Sequence, residues 1–134
     1  MRTDREENPV TTKSDDQVEI REVTTHEVLH IQRVGSAIVD VREPEEIADG
    51  HIPGAVNIPL GRLEIEVDTH PSVVAREGEA GSLRERPVVL YCLSGGRSAR
   101  GAAALRRLGF ANPVSLAGGI LAWTGDGHPV AIPG

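Results

Sequence analysis

The chain has 134 residues, 39% of them hydrophobic and 25% charged, which suits one domain whose core needs neither disulfides nor metals. The formal charge of −6 argues against nonspecific nucleic-acid binding, which depends on Lys and Arg neutralising phosphates. No apolar run approaches the roughly 20 residues of a membrane helix, Met1 to Glu7 lacks a signal peptide's apolar stretch, and one cysteine cannot form an internal disulfide, so no membrane and a cytoplasmic location are expected.

Residues 1–17 are polar, of mixed charge and without apolar periodicity, and read as a flexible tail preceding a domain over 18–134. Val18 to Val23 alternates apolar and charged residues as a half-exposed strand does. Thr24 or Thr25 can cap a helix running through Val28, Leu29 and Ile31. Ala37-Ile38-Val39-Asp40-Val41 is short and β-branched, as a strand covered on both faces should be. Pro44 to Ala48 reads as a short helix with Pro at its start, acids in its first turn and Gly50 as its stop. On this reading Glu43, Glu45 and Glu46 form a solvated helix start.

A strand over Ala55–Ile58 follows the Pro53-Gly54 turn, and Leu60–Val74 carries enough apolar residues for a helix that Pro71 interrupts. Glu77 to Ser82 reads as an exposed loop. Pro87 to Tyr91 is the strongest buried strand and runs directly into Cys92. A helix then opens near Arg97, with Ala102, Ala103, Leu105 and Leu108 on one side and Gly109 as its stop. A last strand, Pro113–Leu116, leads through Gly118-Gly119, read as a tight turn, into a short helix holding Trp123. Strands alternating with helices imply an α/β fold with a mostly parallel central sheet and helices on both faces. Sites in such sheets lie beyond the strands' carboxyl ends, where Asp40 and Cys92 fall.

Between strand and helix, Cys92-Leu93-Ser94-Gly95-Gly96-Arg97-Ser98 can curl so that its backbone N–H groups converge on one point, because glycine admits conformations closed to other residues. The helix N-terminus and Arg97 add positive potential. A thiol in that setting is acidified: free cysteine titrates near 8.5, whereas cysteines beside helix N-termini and cations reach roughly 3.5 to 7.5. The five histidines show no metal-ligand spacing, so no metal and no other cofactor is expected.

Tyr91-Cys92-Leu93-Ser94-Gly95-Gly96-Arg97-Ser98 closely resembles the active-site loop of rhodaneses. Asp40-Val41-Arg42, Gly50-His51-Ile52-Pro53-Gly54-Ala55 and Asn57-Ile58-Pro59 resemble that family's upstream signature, and Leu116 to Trp123 its C-terminal one. The resemblance spans Val18 to Ile132. It implies a rhodanese-like fold and a single-domain sulfurtransferase of the thiosulfate:cyanide class. Cys92 would be the nucleophile that carries sulfur as a persulfide, with Leu93, Ser94, Gly95, Gly96, Arg97 and Ser98 binding substrate, and Arg97 contacting the donor's anionic group. Asp40 and Arg42 match positions behind the loop, where pairing with one another and contact with substrate are both open. His51 is read as fixing backbone. Ile47 stands where many members have an aromatic residue.

The implied partners are a small anionic sulfane donor such as thiosulfate and an acceptor thiol, cyanide or sulfur-relay protein. A persulfide-relay or binding module that acts only with a partner protein uses the same loop. Cysteine phosphatase or arsenate reductase activity is a lesser alternative, because the phosphatase loop places five residues between Cys and Arg and here there are four, with Ser98 where its arginine would stand.

Overall fold

The computed structural model describes residues 11–13, 19–70 and 83–133. Six strands form one sheet: β1 (Thr11–Lys13), β2 (Glu19–Val23), β3 (Ala37–Asp40), β4 (Val56–Asn57), β5 (Val88–Tyr91) and β6 (Pro113–Leu116). Their spatial order is β1-β2-β6-β5-β3-β4. Every pairing is parallel except that of β1, which runs antiparallel to β2 with Thr12 opposite Ile20.

The three central strands β3, β5 and β6 are buried at every position, as their unbroken apolar sequences require of strands covered on both faces. Successive side chains alternate between two cores. Val39, Val88 and Leu90 face a cluster completed by Leu63, Ala102, Leu105 and Phe110. Ile38, Val89 and Tyr91 face another with Val28, Ile52, Ile120 and Trp123. Helix α1 (Thr25–Arg33) and helix α4 (Gly119–Gly125) therefore cover one face, and α2 (Leu63–Glu66) and α3 (Gly96–Arg107) cover the other. The fold is α/β with helices on both faces. The parallel register brings Asp40 opposite Tyr91, so both strands deliver their carboxyl ends to one edge.

Several boundaries differ from the sequence reading. Thr11–Lys13 lies in the segment read as a tail, yet it forms β1: three residues, two of them β-branched, find a partner in the free edge of β2, a pairing that periodicity within so short a run does not reveal. Pro44–Asp49 is a 3-10 helix with no buried residue, because it has no apolar stripe to hold a full α-helix against the core. Within the expected Leu60–Val74 helix, Leu60–Arg62 is a 3-10 turn and only Leu63–Glu66 is α-helical. Leu60, Leu63 and Val67 are its anchors to the core; Asp68, Thr69 and His70 after them offer none. The rest of that helix and the Glu77–Ser82 loop lie outside the described residues. The Thr24 cap is a full capping box, its side chain accepting from Glu27 N–H while Glu27 accepts from Thr24 N–H.

Candidate active site

Strand β5 ends at Tyr91, and Cys92 stands at its carboxyl edge with 1% of its surface exposed. The chain must reverse within three residues to start α3, and Gly95 makes the reversal with φ 118°, a left-handed conformation that side-chain-bearing residues avoid. That conformation directs the Gly95 N–H at Cys92 Sγ, 3.1 Å away. The Ser98 hydroxyl lies 3.6 Å from the same sulfur, 3.1 Å from the Gly95 carbonyl and 2.7 Å from the Ser115 hydroxyl. Ser98 and Ser115 are both fully buried. Burial pushes the Cys92 thiol up, but the Ser98 side chain and the amides of Ser98, Gly95 and Ser94 together outweigh it, and the thiol titrates below its ordinary value. The first turn of α3 adds its unpaired N–H groups to this potential.

Helix α4 fixes the other side of the loop. Ile120 N–H donates to the Cys92 carbonyl at 2.9 Å and Leu121 N–H to the Leu93 carbonyl at 3.2 Å. In a trans peptide the carbonyl and the following N–H point in opposite directions. Drawing these two carbonyls toward α4 therefore turns the N–H groups of Leu93 and Ser94 away from it. Leu93 and Ser94 are exposed at the mouth of the loop.

The sequence placed Arg97 as an anion contact. Its guanidinium forms a two-pronged ion pair with Glu46, at 2.7 and 2.9 Å. Glu46 is further held by the Glu43 N–H at 2.9 Å. The pair with Arg97, then the Glu43 amide, keep its carboxyl low, at about 2. Glu46 is thus not the merely solvated helix start that its sequence context suggests. Asp40 and Arg42 pair with each other at 2.8 Å, their side chains 1% and 5% exposed. Arg42 also donates to the carbonyls of Glu46 and Gly50, which sets the 3-10 helix against the sheet edge and so positions Glu46. His51 exchanges two backbone hydrogen bonds with Ala131, and its ring lies 3.0 Å from the Ile52 carbonyl. The next amide, that of Ile52, donates to the Tyr91 hydroxyl at 2.9 Å.

Two participants escaped the sequence reading. Glu46 meets Arg97 across 51 residues of chain, and nothing local announces it. Ser115 carried a signal: it is the one polar residue in an otherwise apolar strand, and a buried hydroxyl needs a partner. Among the described residues no three His, Cys, Asp or Glu side chains gather as a metal site, and no helix is long and apolar enough to cross a membrane.

Residues 24–126 match the rhodanese-like domain family. A protein from Allochromatium vinosum named sulfurtransferase is 36% identical over 96 residues, 72% of this chain and 78% of that one. A putative sulfur carrier protein of Bacillus subtilis, YrkF, is 36% identical over 89 residues, which are 66% of this chain and 41% of that longer protein. A human single-domain sulfurtransferase of known structure superposes with a TM-score of 0.64 at 29% identity, covering 78% of this chain and 95% of that one.

Proposed function

The chain belongs to the rhodanese-like domain family, and we propose that it is a sulfurtransferase that carries sulfane sulfur as a persulfide on Cys92. The observation that carries this reading is the buried Cys92 sulfur facing the Gly95 amide and the Ser98 hydroxyl at a helix N-terminus. A group so placed is stabilised as an anion without a neighbouring base. The loop amides and Ser98 hold first the thiolate and then the persulfide.

The reaction has two steps. The Cys92 thiolate attacks the outer sulfur of a donor; with thiosulfate, the S–S bond breaks and sulfite leaves with the bonding pair. An acceptor thiol or cyanide then attacks the outer sulfur of the persulfide, and the Cys92 thiolate leaves. Charge and oxidation state balance within each step, so no cofactor is needed. A reducing compartment such as the cytoplasm keeps the thiol available. Mass spectrometry after treatment with a panel of sulfane donors should find one added sulfur on the protein, absent in Cys92→Ala. Failure of every donor to load the wild-type protein overturns the reading.

A second reading, a relay module that exchanges sulfur only with a partner protein, is favoured by Leu93 and Leu121, which stand 42% and 56% exposed beside the loop. Turnover of thiosulfate and cyanide without any partner decides against it. Phosphatase chemistry is disfavoured because Arg97 is engaged by Glu46 and lies one residue too early for a phosphate ring. Aryl phosphate should not be hydrolysed.

A further inference from the structure

A groove of about 350 Å³ runs beside the Cys92 loop, with Leu93, Ile120, Leu121 and Val130 as its apolar wall and Glu46 and Asp49 as its acids. Its one lining cation is Arg42, buried against Asp40. The cation beside it, Arg97, has both terminal nitrogens on Glu46. Glu46 is held by its carboxylate on Arg97 and on the Glu43 amide, and by its carbonyl on Arg42, so swinging it aside costs several bonds at once. Among the described residues that line this groove, an incoming dianion such as thiosulfate therefore meets no cation that is not already paired with a carboxylate, and two carboxylates stand along its approach. An organic body finds apolar surface in a cavity of the size that small molecules use.

We infer that Glu46 is a specificity-determining residue, which by occupying Arg97 turns the site away from thiosulfate and toward an organic persulfide whose carbon skeleton lies against Leu93, Leu121 and Val130. This rests on the reading of Cys92 as sulfur carrier. In the transfer, the Cys92 thiolate attacks the outer sulfur of R–S–SH. The Cys92 S–S bond forms as the donor's breaks, the proton stays on the transferred sulfur, and R–S⁻ leaves with the electron pair. Sulfur is exchanged without an external oxidant. The leaving thiolate is a single charge, whereas sulfite leaves with two beside Glu46.

The test compares loading rates of wild-type and Glu46→Gln protein with two probes, thiosulfate and benzyl persulfide generated in situ. Glutamine keeps the shape and one hydrogen bond to Arg97 while removing the charge. The ratio of thiosulfate to benzyl persulfide loading should rise about tenfold or more in Glu46→Gln, through the concentration dependence rather than the maximal rate, as expected when a unit charge close to a dianion is removed. Thiosulfate loading should also become salt-sensitive, because a released Arg97 attracts anions through screened charge. Leu121→Ser should slow benzyl persulfide loading more than it slows thiosulfate loading. An unchanged or lowered ratio in Glu46→Gln, with both probes still loading Cys92, overturns the inference and makes Glu46 a positioning residue for Arg97. Absence of loading by either probe in the wild type instead overturns the sulfur-carrier reading beneath it.

Discussion

Ile120 donates its backbone N–H to the Cys92 carbonyl across 2.9 Å, which makes the last helix part of the loop that holds the sulfur. Gly119, one residue earlier, permits this approach. It sits at φ 60°, and a Cβ there would fall 2.3 Å from the Leu93 carbonyl oxygen and 2.5 Å from that of Cys92. Both contacts are with backbone, so no side-chain rotation relieves them.

Gly119→Ala should therefore separate α4 from the loop. The left-handed conformation alone costs an alanine about 1–2 kcal/mol, and the collisions add to it. Urea unfolding should show a loss of at least about 2 kcal/mol. Sulfur loading should fall further than stability predicts, because the Leu93 and Ser94 amides lose their orientation. A variant that loads sulfur at the wild-type rate contradicts this role for α4.

Ser98 and Ser115 give the loop a titration signature. The Ser98 hydroxyl has Cys92 Sγ, the Gly95 carbonyl and Ser115 within reach. When Ser115 donates to Ser98, the Ser98 proton has the Gly95 carbonyl and the Cys92 sulfur as its two acceptors. Ser98→Ala and Ser115→Ala should both raise the Cys92 pKa, the first more than the second, since it removes the group in contact with sulfur. Ultraviolet thiolate absorbance followed against pH measures it. A Ser115→Ala curve that overlays the wild type would show that only Ser98 matters.

Asp40 and Arg42 govern stability. Asp40→Ala takes the paired carboxylate from a buried guanidinium and leaves it the carbonyls of Glu46 and Gly50 and the face of Tyr91, and breaking such a pair on one side costs about 3–5 kcal/mol. A domain of this size has roughly 5–15 kcal/mol in total, so the variant should melt far below the wild type. A double replacement of Asp40 and Arg42 by apolar residues of matched volume should recover much of the loss. A cost under about 1 kcal/mol would mean that water reaches the pair in solution.

Glu46 sets an acid limit. Its carboxyl is held from an ordinary 4.5 down to about 2, first by the side chain of Arg97 and next by the Glu43 amide. A carboxyl whose folded pKa is depressed contributes stability that is fully present above the unfolded value and disappears as pH falls through the folded one. The contribution should thus be constant above about pH 5 and vanish between about 4.5 and 2. The pair is a third exposed, so solvent screening limits it to about 1 kcal/mol. Denaturant titrations of wild type and Glu46→Gln should converge as pH approaches 2; a gap that persists there would mean the carboxylate is not its source.

The central strands were legible because their information is local. A β-branched run such as Ile38-Val39 or Val88-Val89 has few ways to be buried except in the middle of a sheet, and Cys92 followed by two glycines and Arg97 marks a turn into a helix whatever surrounds it. The electrostatics of the mouth were not legible in the same way. Arg97 looks like a free anion contact in sequence, and only the fold brings Glu46 to it, through an Arg42 bond to the Glu46 carbonyl that has no periodic trace. Ser115 was readable in principle, since a lone hydroxyl within Pro113–Leu116 has to be satisfied by something. The 3-10 character of Pro44–Asp49 was not, because capping residues and a starting proline announce a helix without fixing its pitch.

Strand β1 bears on how the chain behaves in company. Among the described residues, its three are what lies along the outer side of β2, and an open ladder of N–H and C=O groups is a template for a neighbouring molecule. Shortening the chain to begin at Glu19 would strip that cover while leaving Cys92 and its loop untouched. The shortened protein should keep its chemistry when dilute and self-associate edge to edge when concentrated. For expression and crystallisation, Thr11–Lys13, in a stretch that looks dispensable beside the Cys92 loop, should then be what keeps copies of the domain apart.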